Sequence, residues 1–223
     1  MKFNRNLLLT ALGLACSGMV LAADAPPPRE TSIAVGYVGT TGNTDTKTFN
    51  TEILLTLRSD PWTHNAKFQA LAAQENSTSK AERYFLEEKS DYALDAQQYL
   101  FGKGSYLDDR FSGYDYQATV AGGYGRYLIR DENLTLEAFG GPGYRQNAIS
   151  TASSEGEAIL SLGQKLEWTI SDSSKFVQSL NSDIGDDLTL TVFEMGLVSQ
   201  IIDRIATKIA FQARNLSEVP VGI

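Results

Sequence analysis

Beyond residue 30 the chain alternates apolar and polar residues with a period of two over most of its length. From residue 49 to residue 58, Phe49, Ile53 and Leu57 share one face, while Glu52 and Arg58 share the other. Successive side chains of a β-strand point to opposite faces, whereas a helix repeats after about 3.6 residues, so the pattern predicts strands. Many of these segments reach the roughly ten residues that cross a membrane at a tilt. The chain is therefore predicted to be all-β, with its two faces in different environments.

The connections between the alternating segments differ in length in a regular way. Residues 59–61, 95–96, 130–132, 171–174 and 202–204 form short connections, and residues 40–46, 76–81, 109–114 and 147–155 form longer ones; residues 185–187 break the rule by being short. Outer-membrane barrels have short periplasmic turns and longer extracellular loops, so the order predicts a periplasmic N-terminus. The eleven predicted strands are residues 31–39, 47–59, 62–75, 82–94, 97–108, 115–128, 133–146, 156–170, 175–185, 188–200 and 205–215.

The first residues have the composition of an export signal. Lys2 and Arg5 precede an apolar run from residue 7 to residue 14, and small residues around Ala22 form a cleavage site. The run is too short to span a bilayer as a helix, which disfavours an N-terminal anchor, and the residues before Cys16 disfavour lipidation. We expect a signal peptide at residues 1–22, a linker at 23–30 and an outer-membrane β-barrel domain at 31–223. Because Cys16 is the only cysteine, the mature chain would contain no disulfide and no thiolate.

Charge separates the remaining classes of protein. The net charge is −8, and removal of the signal peptide makes it more negative, so nucleic acid is not an expected partner. A soluble β-sandwich or lipocalin-like barrel also uses alternating strands. It would not tolerate charges of both signs on a buried face, however, and the predicted strands are long and numerous for that class. The sequence favours an antiparallel transmembrane β-barrel in the bacterial outer membrane.

Aromatic residues cluster near the ends of the predicted strands, where amphipathic rings prefer the two membrane interfaces. We expect one girdle near the short connections and a second near the long ones. Two glycine-rich strands, around residues 122–125 and 140–143, predict either a tightly curved wall or room for large side chains in the lumen. The predicted girdles contain Trp62, Tyr99, Phe101, Tyr127 and Trp168 at the periplasmic side, and Tyr37, Tyr84, Tyr106 and Tyr116 at the extracellular side.

Six short stretches follow one another in a characteristic order. They are Gly36-Tyr37, Thr41-Gly42-Asn43-Thr44-Asp45-Thr46, Phe101-Gly102-Lys103-Gly104, Asp108-Asp109-Arg110-Phe111, Gly122-Gly123-Tyr124-Gly125 and Gly140-Gly141-Pro142-Gly143-Tyr144-Arg145. Taken together, these stretches resemble the DUF481 family of YdiY-like, salt-induced outer-membrane proteins, and the resemblance covers essentially all of the chain beyond the signal peptide. It implies an outer-membrane barrel with no established activity and no catalytic residues to carry over.

The number of predicted strands is odd, although closed bacterial barrels normally have an even number. An open edge in lipid would leave backbone groups unpaired. We therefore expect a barrel of about twelve strands, of which eleven are visible and the C-terminal one is missing. A barrel with an odd number of strands is the alternative.

Residues that could carry out chemistry are few, and we expect no enzyme, no cofactor and no metal site. The sole histidine, His64, lies near a predicted periplasmic turn on the outward face, and no motif supplies it with a nucleophile and an orienting partner. An interfacial lipid-modifying enzyme is thus the least favoured alternative. Acidic residues that might bind divalent cations are interpreted as a solvated rim facing lipopolysaccharide. They are Asp108, Asp109, Asp115, Asp183, Asp186 and Asp187.

The inward face is where function is expected to lie. Its charges are of both signs and are mixed, which predicts paired charges that cross-link the interior; a single sign would suggest an ion-selective channel. A structural role in envelope adaptation to salt or osmotic stress, tied to the family resemblance, is the first interpretation, and a narrow channel for small polar solutes is the second. Expected partners are outer-membrane lipids, lipopolysaccharide and the barrel-assembly machinery, and the protein is expected to be a monomer. The predicted lumen-facing charges are Glu52, Arg58, Lys67, Lys89, Asp91, Lys103, Glu137, Lys165, Glu167, Glu194 and Lys208.

Overall fold

The computed structural model describes residues 13–17, 28–40, 46–110, 114–149, 155–202 and 205–217. In those residues it contains β-strands and no helix long and apolar enough to cross a membrane. The strands are β1 (Gly13–Ser17), β2 (Arg29–Thr40), β3 (Thr46–Ser59), β4 (Trp62–Glu75), β5 (Thr78–Ala93), β6 (Gln98–Asp109), β7 (Tyr114–Arg130), β8 (Leu134–Ile149), β9 (Glu155–Ser171), β10 (Ser174–Gly185), β11 (Thr189–Ile202) and β12 (Ile205–Leu216).

The strands form an antiparallel barrel in which each strand from β2 to β12 pairs with its neighbour in the sequence. The predicted all-β antiparallel barrel is confirmed, and the eleven long strands coincide with the eleven predicted ones. We call the end that carries the connections after β3, β5, β7, β9 and β11 the turn end, and the opposite end the loop end. Three of the expected long loops lie at least partly in residues 41–45, 111–113 and 150–154, outside the described residues.

One predicted long loop, residues 76–81, is wrong. Glu75 pairs directly with Thr78, which leaves Asn76 and Ser77 as a two-residue turn, and both have positive φ angles of 49° and 64°. A two-residue hairpin turn with φ positive at both positions matches the twist of the flanking strands, and Asn is among the residues that adopt it most easily. The polar residues that follow therefore belong to β5, which begins four residues earlier than predicted.

The seam of the barrel lies between β2 and β12. Both run in the same direction, and the short strand β1 pairs antiparallel with each of them, through Ser32–Val35 on one side and Ile205–Lys208 on the other. β1 thus occupies the position in which we expected a twelfth strand, and it comes from the predicted signal peptide. The remainder of that segment and its cleavage site at Ala22 lie outside the described residues, so cleavage stays a prediction.

The two faces of the wall differ as the alternation predicts. The outer face exposes many large apolar side chains, including Ile33, Leu86, Val120 and Ile209, while charged side chains point inward. Three members of the predicted periplasmic girdle are an exception. Tyr99, Phe101 and Tyr127 share the inward face of their strands with Lys103 and the residues paired to it; Tyr99 is only 3% exposed. Their positions near strand ends suggested the membrane interface. The face of the strand on which they lie places them in the lumen instead.

Glycine has two uses on β7 and β8. Gly123 lies so close to the adjacent strand that a Cβ there would meet the carbonyl oxygen of Gly140 at 2.3 Å. At Gly125 and Gly163, by contrast, the missing side chains leave room for the rings of Tyr99 and Phe139 in the lumen. The predicted room for large inward side chains is thus present, and the close approach of β7 and β8 is a second use of glycine; a tightly curved wall stays a prediction.

We predict that Gly123→Ala destabilises the barrel by about 1–3 kcal/mol, because the new methyl group would have to displace backbone. The matched control is Gly196→Ala, where a Cβ meets its nearest atom at an ordinary 3.5 Å. Urea unfolding of the two variants in detergent or lipid, followed by loss of heat-modifiable migration on gels, measures the difference. Equal stability of the two variants would contradict the close approach of β7 and β8.

Candidate functional site

The lumen contains a central group of charges contributed by strands that are not neighbours. Lys67 on β4 donates from its Nζ to both carboxylate oxygens of Glu194 on β11, at 2.9 and 2.8 Å. Lys208 on β12 pairs with Glu52 on β3. Because these strands are separated by others in the barrel order, the contacts must pass through the interior. The central group therefore links β3 and β4 to β11 and β12 through the lumen, across the seam between β2 and β12.

Amide side chains complete the hydrogen bonding of this group. Gln69, opposite Glu52 in the register of β3 and β4, donates to Glu52 Oε2 at 2.8 Å. Gln212, opposite Glu194 in the register of β11 and β12, donates to Glu194. Each carboxylate thus has one partner on the adjacent strand and one from across the lumen. Charge-assisted bonds of this kind hold partly buried side chains in fixed positions.

A second cross-lumen contact joins β6 to β10. Lys103 Nζ donates to Asp183 Oδ1 at 3.3 Å and to Ser161 Oγ at 3.0 Å, and the Ser161 hydroxyl donates to the same Asp183 oxygen at 2.7 Å. Lys103 and Ser161 are buried. Asp183, which the sequence analysis placed in a solvated rim, is therefore an interior partner of a lysine. The alternation within residues 175–185 indicates the inward position of Asp183, because Asp183 lies on the same face of the strand as Lys175.

Near the loop end, Arg145 is the most deeply buried charge, only 1% exposed. Its Nη2 and Nε donate to Glu157 Oε1 at 2.6 and 3.1 Å, and Nη2 also donates to the carbonyl oxygen of Leu188. The other oxygen of Glu157 accepts the backbone N–H of Asp187 at 3.1 Å. The pair therefore holds the short turn between β10 and β11 against the inside of the barrel.

Sequence reasoning missed Arg145 and Glu157. The signal that would have found them is present, because Arg145 shares the parity of Glu137 on β8, and Glu157 shares that of Lys165 on β9. Both residues lie close to the predicted extracellular loop at residues 147–155.

Toward the turn end, Lys89 lies among aromatic rings. Its Nζ contacts Asp91 Oδ1 at 2.6 Å and lies 4.6 Å from the ring centre of Tyr99, 5.6 Å from that of Phe101 and 4.7 Å from that of Phe139. An ammonium group is attracted to the face of an aromatic ring. Asp91 and the three rings thus surround a charge that would be costly to bury alone.

The remaining predicted lumen charges also have partners. Tyr99 donates its hydroxyl to Glu137 at 2.8 Å, Glu167 accepts from Lys165 and Lys175 at 2.6 and 2.7 Å, and Arg58 pairs with Glu30 at 3.2 Å. The structure thus brings each of the eleven predicted charges into a contact with another polar side chain. That these contacts form a functional site stays a prediction.

His64 lies on the outer face, where its ring stacks on Trp62 with centroids 5.8 Å apart. Ser90 Oγ lies 2.7 Å from His64 Nδ1 and donates to Glu88 Oε1 at 2.5 Å. Sequence reasoning missed Ser90 and Glu88, which reach His64 only through the register of β4 and β5.

This arrangement differs from a hydrolase triad. There the serine donates to the imidazole and the acid orients the second ring nitrogen, whereas Ser90 donates to the carboxylate. The described residues also contain no group of three or more His, Cys, Asp or Glu side chains placed to hold a metal ion.

The family model described as "Protein of unknown function, DUF481" matches residues 33–223. The chain belongs to this family. One similar protein is the uncharacterized protein YdiY of Escherichia coli (strain K12). It is 26% identical over 198 residues, which cover 89% of this chain and 78% of that protein. The resemblance inferred from sequence motifs is thereby confirmed. Neither description assigns an activity, so family membership adds no catalytic residue to the barrel.

Two solved structures share the general architecture at low similarity. A bacterial polysaccharide outer membrane secretin is 9% identical, with a TM-score of 0.38, and the match covers 95% of this chain and all of that one. A porin is 6% identical, with a TM-score of 0.35, and the match covers 92% of this chain and 97% of that one. These likenesses are weak, and nothing about this chain's activity follows from them.

We predict that Arg145→Met destabilises the barrel by about 3 kcal/mol or more, because it leaves Glu157 buried without its cation. The control is Arg110→Met, which breaks the more exposed Arg110–Glu82 pair and should cost less than about 1 kcal/mol. Thermal unfolding in detergent compares the two variants with the unmodified protein. If the Arg145 variant were no less stable than the control, the turn between β10 and β11 would not depend on the buried pair.

Proposed function

We propose that this protein is a non-enzymatic outer-membrane barrel with a closed lumen, and that it acts as a wall component in envelope adaptation to salt or osmotic stress. The observation that carries the proposal is the set of ion pairs between non-neighbouring strands, Lys67–Glu194, Lys208–Glu52 and Lys103–Asp183. The link to salt stress rests on the family resemblance alone. The closed lumen rests on the geometry.

A solute that crosses this lumen would have to separate paired charges. Lys67, Glu194, Glu52 and Lys103 lie in the middle of their strands, Asp183 lies two residues from the loop end of β10, and the Arg145–Glu157 pair adds a further contact near the loop end. The inward charges are of both signs and pair with one another, unlike the lining of a single sign that attracts ions in selective channels. A barrel of about twelve strands is also narrower than open porins of sixteen or more. A side-chain-filled interior follows from these features.

The outer face supports a location in the outer membrane. Large apolar side chains are exposed around the barrel, and Trp62 and Trp168 near the turn end and Tyr84 and Tyr106 nearer the loop end are among them. In water this surface would favour aggregation, whereas in a bilayer it meets hydrocarbon between two aromatic girdles. We accordingly propose outer-membrane lipids and lipopolysaccharide as its surroundings, the barrel-assembly machinery as its partner during insertion, and export with a cleaved signal peptide.

A narrow channel is the second candidate, and one observation favours it. The lumen is more open near the turn end than near the loop end: the side chain of Lys165 is 44% exposed, against 6% for Glu157. Lys165, with Glu167 beside it, would line the periplasmic entrance of such a channel. A channel would result if the central pairs separated under an applied potential or on binding of a solute.

Conductance in a planar bilayer separates the two candidates. We predict that the purified protein shows no current steps, and that a variant carrying Lys67→Ala, Glu194→Ala, Lys103→Ala and Asp183→Ala does, because two of its three cross-lumen pairs are gone. The control variant is Arg110→Ala with Glu82→Ala, which removes a pair of the same type at the surface and should remain silent. Current steps from the unmodified protein would favour the channel and reject the closed lumen.

The proposed role in envelope adaptation is tested separately from the closed lumen, by growth of a deletion strain. A strain lacking the gene is expected to grow more slowly at high salt and to recover with the unmodified gene. Normal growth of that strain at high salt and after osmotic downshift would remove the envelope-adaptation role while leaving the closed lumen untouched.

A further inference from the structure

One inward carboxylate in the middle of the barrel has no direct partner. Glu87 lies on β5, opposite the inward Lys67 of β4, so it faces the lumen and its charge pairs. Its side chain is only partly exposed. Among the described residues, its carboxylate accepts no hydrogen bond and forms no ion pair. A carboxylate away from bulk water is costly without a partner, so a cation is expected within reach of it.

Two lysines are placed to reach Glu87. Lys67 lies directly opposite it on β4, and Lys103 lies diagonally across on β6, two residues from the opposite Ser105. Side chains directly opposite each other have Cβ atoms about 5 Å apart and diagonal ones about 7–8 Å, and long side chains span both distances. The charges of both lysines act on the Glu87 carboxyl group. Rotation of the side chain alone would therefore bring either ammonium group to Glu87.

Both lysines instead reach across the lumen, to acids that have a second donor on their own side. Glu194, which binds the β4 lysine, also accepts a hydrogen bond from Gln212. Asp183, which binds the β6 lysine, also accepts one from Ser161 at 2.7 Å. Neither carboxylate would lose all of its hydrogen bonds if its lysine left, and an acceptor that stays bonded avoids the full cost of being buried alone.

We propose that Glu87 is a second acceptor for Lys67 and Lys103, which lets the lumen open by an exchange of partners. In the closed arrangement the two ammonium groups bind across the lumen, and in the open one they bind Glu87 against the wall formed by β4, β5 and β6. The exchange moves side chains only, and each ammonium group keeps a carboxylate. This proposal rests on the closed lumen proposed above and adds a way for it to open.

The barrel already contains a carboxylate that binds two lysines. Glu167 accepts from Lys165 through one oxygen at 2.6 Å and from Lys175 through the other at 2.7 Å. Lys175 lies diagonally across from Glu167 in the register of β9 and β10, which is the relation of Lys103 to Glu87. One carboxylate is therefore sufficient for two ammonium groups on this wall.

The exchange also determines which solutes the open lumen would favour. It leaves the carboxylates of Glu194 and Asp183 on the far side of the lumen, each with a neutral donor. Carboxylates that line a passage favour cations. We therefore assign small cations as the solutes of the open state.

Paired substitutions in the full-length protein test whether Lys103 turns to Glu87 when its cross-lumen acceptor is removed. Glu87→Gln should leave the melting temperature of the otherwise unmodified protein nearly unchanged, because there Glu87 has no direct partner. In an Asp183→Asn background, the same substitution should lower the melting temperature by roughly a further 2–4 °C, because it removes the acid to which the lysine has turned.

A Glu194→Gln background repeats the measurement for Lys67. The matched control is Glu88→Gln, which changes the neighbouring, outward residue and should have the same effect with and without the second substitution. Heat-modifiable migration on gels verifies that each variant is folded, and each background decides the question independently of the other. An effect of Glu87→Gln that is equal with and without the cross-lumen acids would overturn the proposal.

The opening itself is measured in a planar bilayer. A variant with Glu194→Gln and Asp183→Asn keeps both lysines and the size of both altered side chains, and it should give current steps because the lysines then bind Glu87. A silent record from this folded variant would reject the exchange. Current steps from the unmodified protein would contradict the closed lumen proposed above, whereas the melting temperatures would still decide whether Glu87 is the second acceptor.

Discussion

The structure depends on the pairing of backbone amides and carbonyls within the protein, a requirement imposed by the bilayer in which we propose that it lies. A closed antiparallel barrel meets it, because each strand is hydrogen-bonded on both sides. In this chain β2 to β12 pair in sequence order, and the seam between β2 and β12 is bridged by the short strand β1, which the proposed cleavage of the signal peptide would remove. Closure also fixes the environment of every side chain, since a strand in a barrel has one face toward lipid and one toward the lumen. The period of two in the sequence is a direct consequence.

The lumen is organised by a second constraint, the cost of an unpaired charge away from bulk water. Charged residues on the inward face stiffen the barrel only if their partners lie within reach, and the partners here come from both adjacent and opposite strands. Lys67–Glu194 and Lys208–Glu52 link β3 and β4 to β11 and β12, on either side of the seam. The wall is hydrogen-bonded over only a few residues at β1, so these pairs reinforce the barrel where its backbone ladder is shortest.

The sequence was sufficient to predict the strands and most of the inward charges, because both depend on local alternation, although Arg145, Glu157 and Asp183 were not among the predicted ones. It was insufficient wherever the answer depended on how strands are staggered. That Lys103 would meet Asp183, or that Ser90 would lie beside His64, follows from register and from the curvature of the barrel, which no single segment encodes. Turn chemistry explains the error at residues 76–81, where Asn76 and Ser77 suffice for the connection. Tyr99, Phe101 and Tyr127 were assigned to a girdle because their distance from a strand end was given more weight than their parity.

Glycines on the wall of the barrel differ in what occupies the space beside them. Inside, the space left at Gly125, Gly163 and Gly185 is taken by Tyr99, Phe139 and Glu157, respectively. Outside, the space left at Gly102 and Gly104 is taken by nothing in the described residues. A glycine within a strand weakens it unless another group makes use of the space. On the outer face, too, side chains of the same chain take the space at two glycines, Leu162 at Gly140 and Tyr144 at Gly156, so an open position is a property of Gly102 and Gly104 on β6 and not of the outer face as a whole.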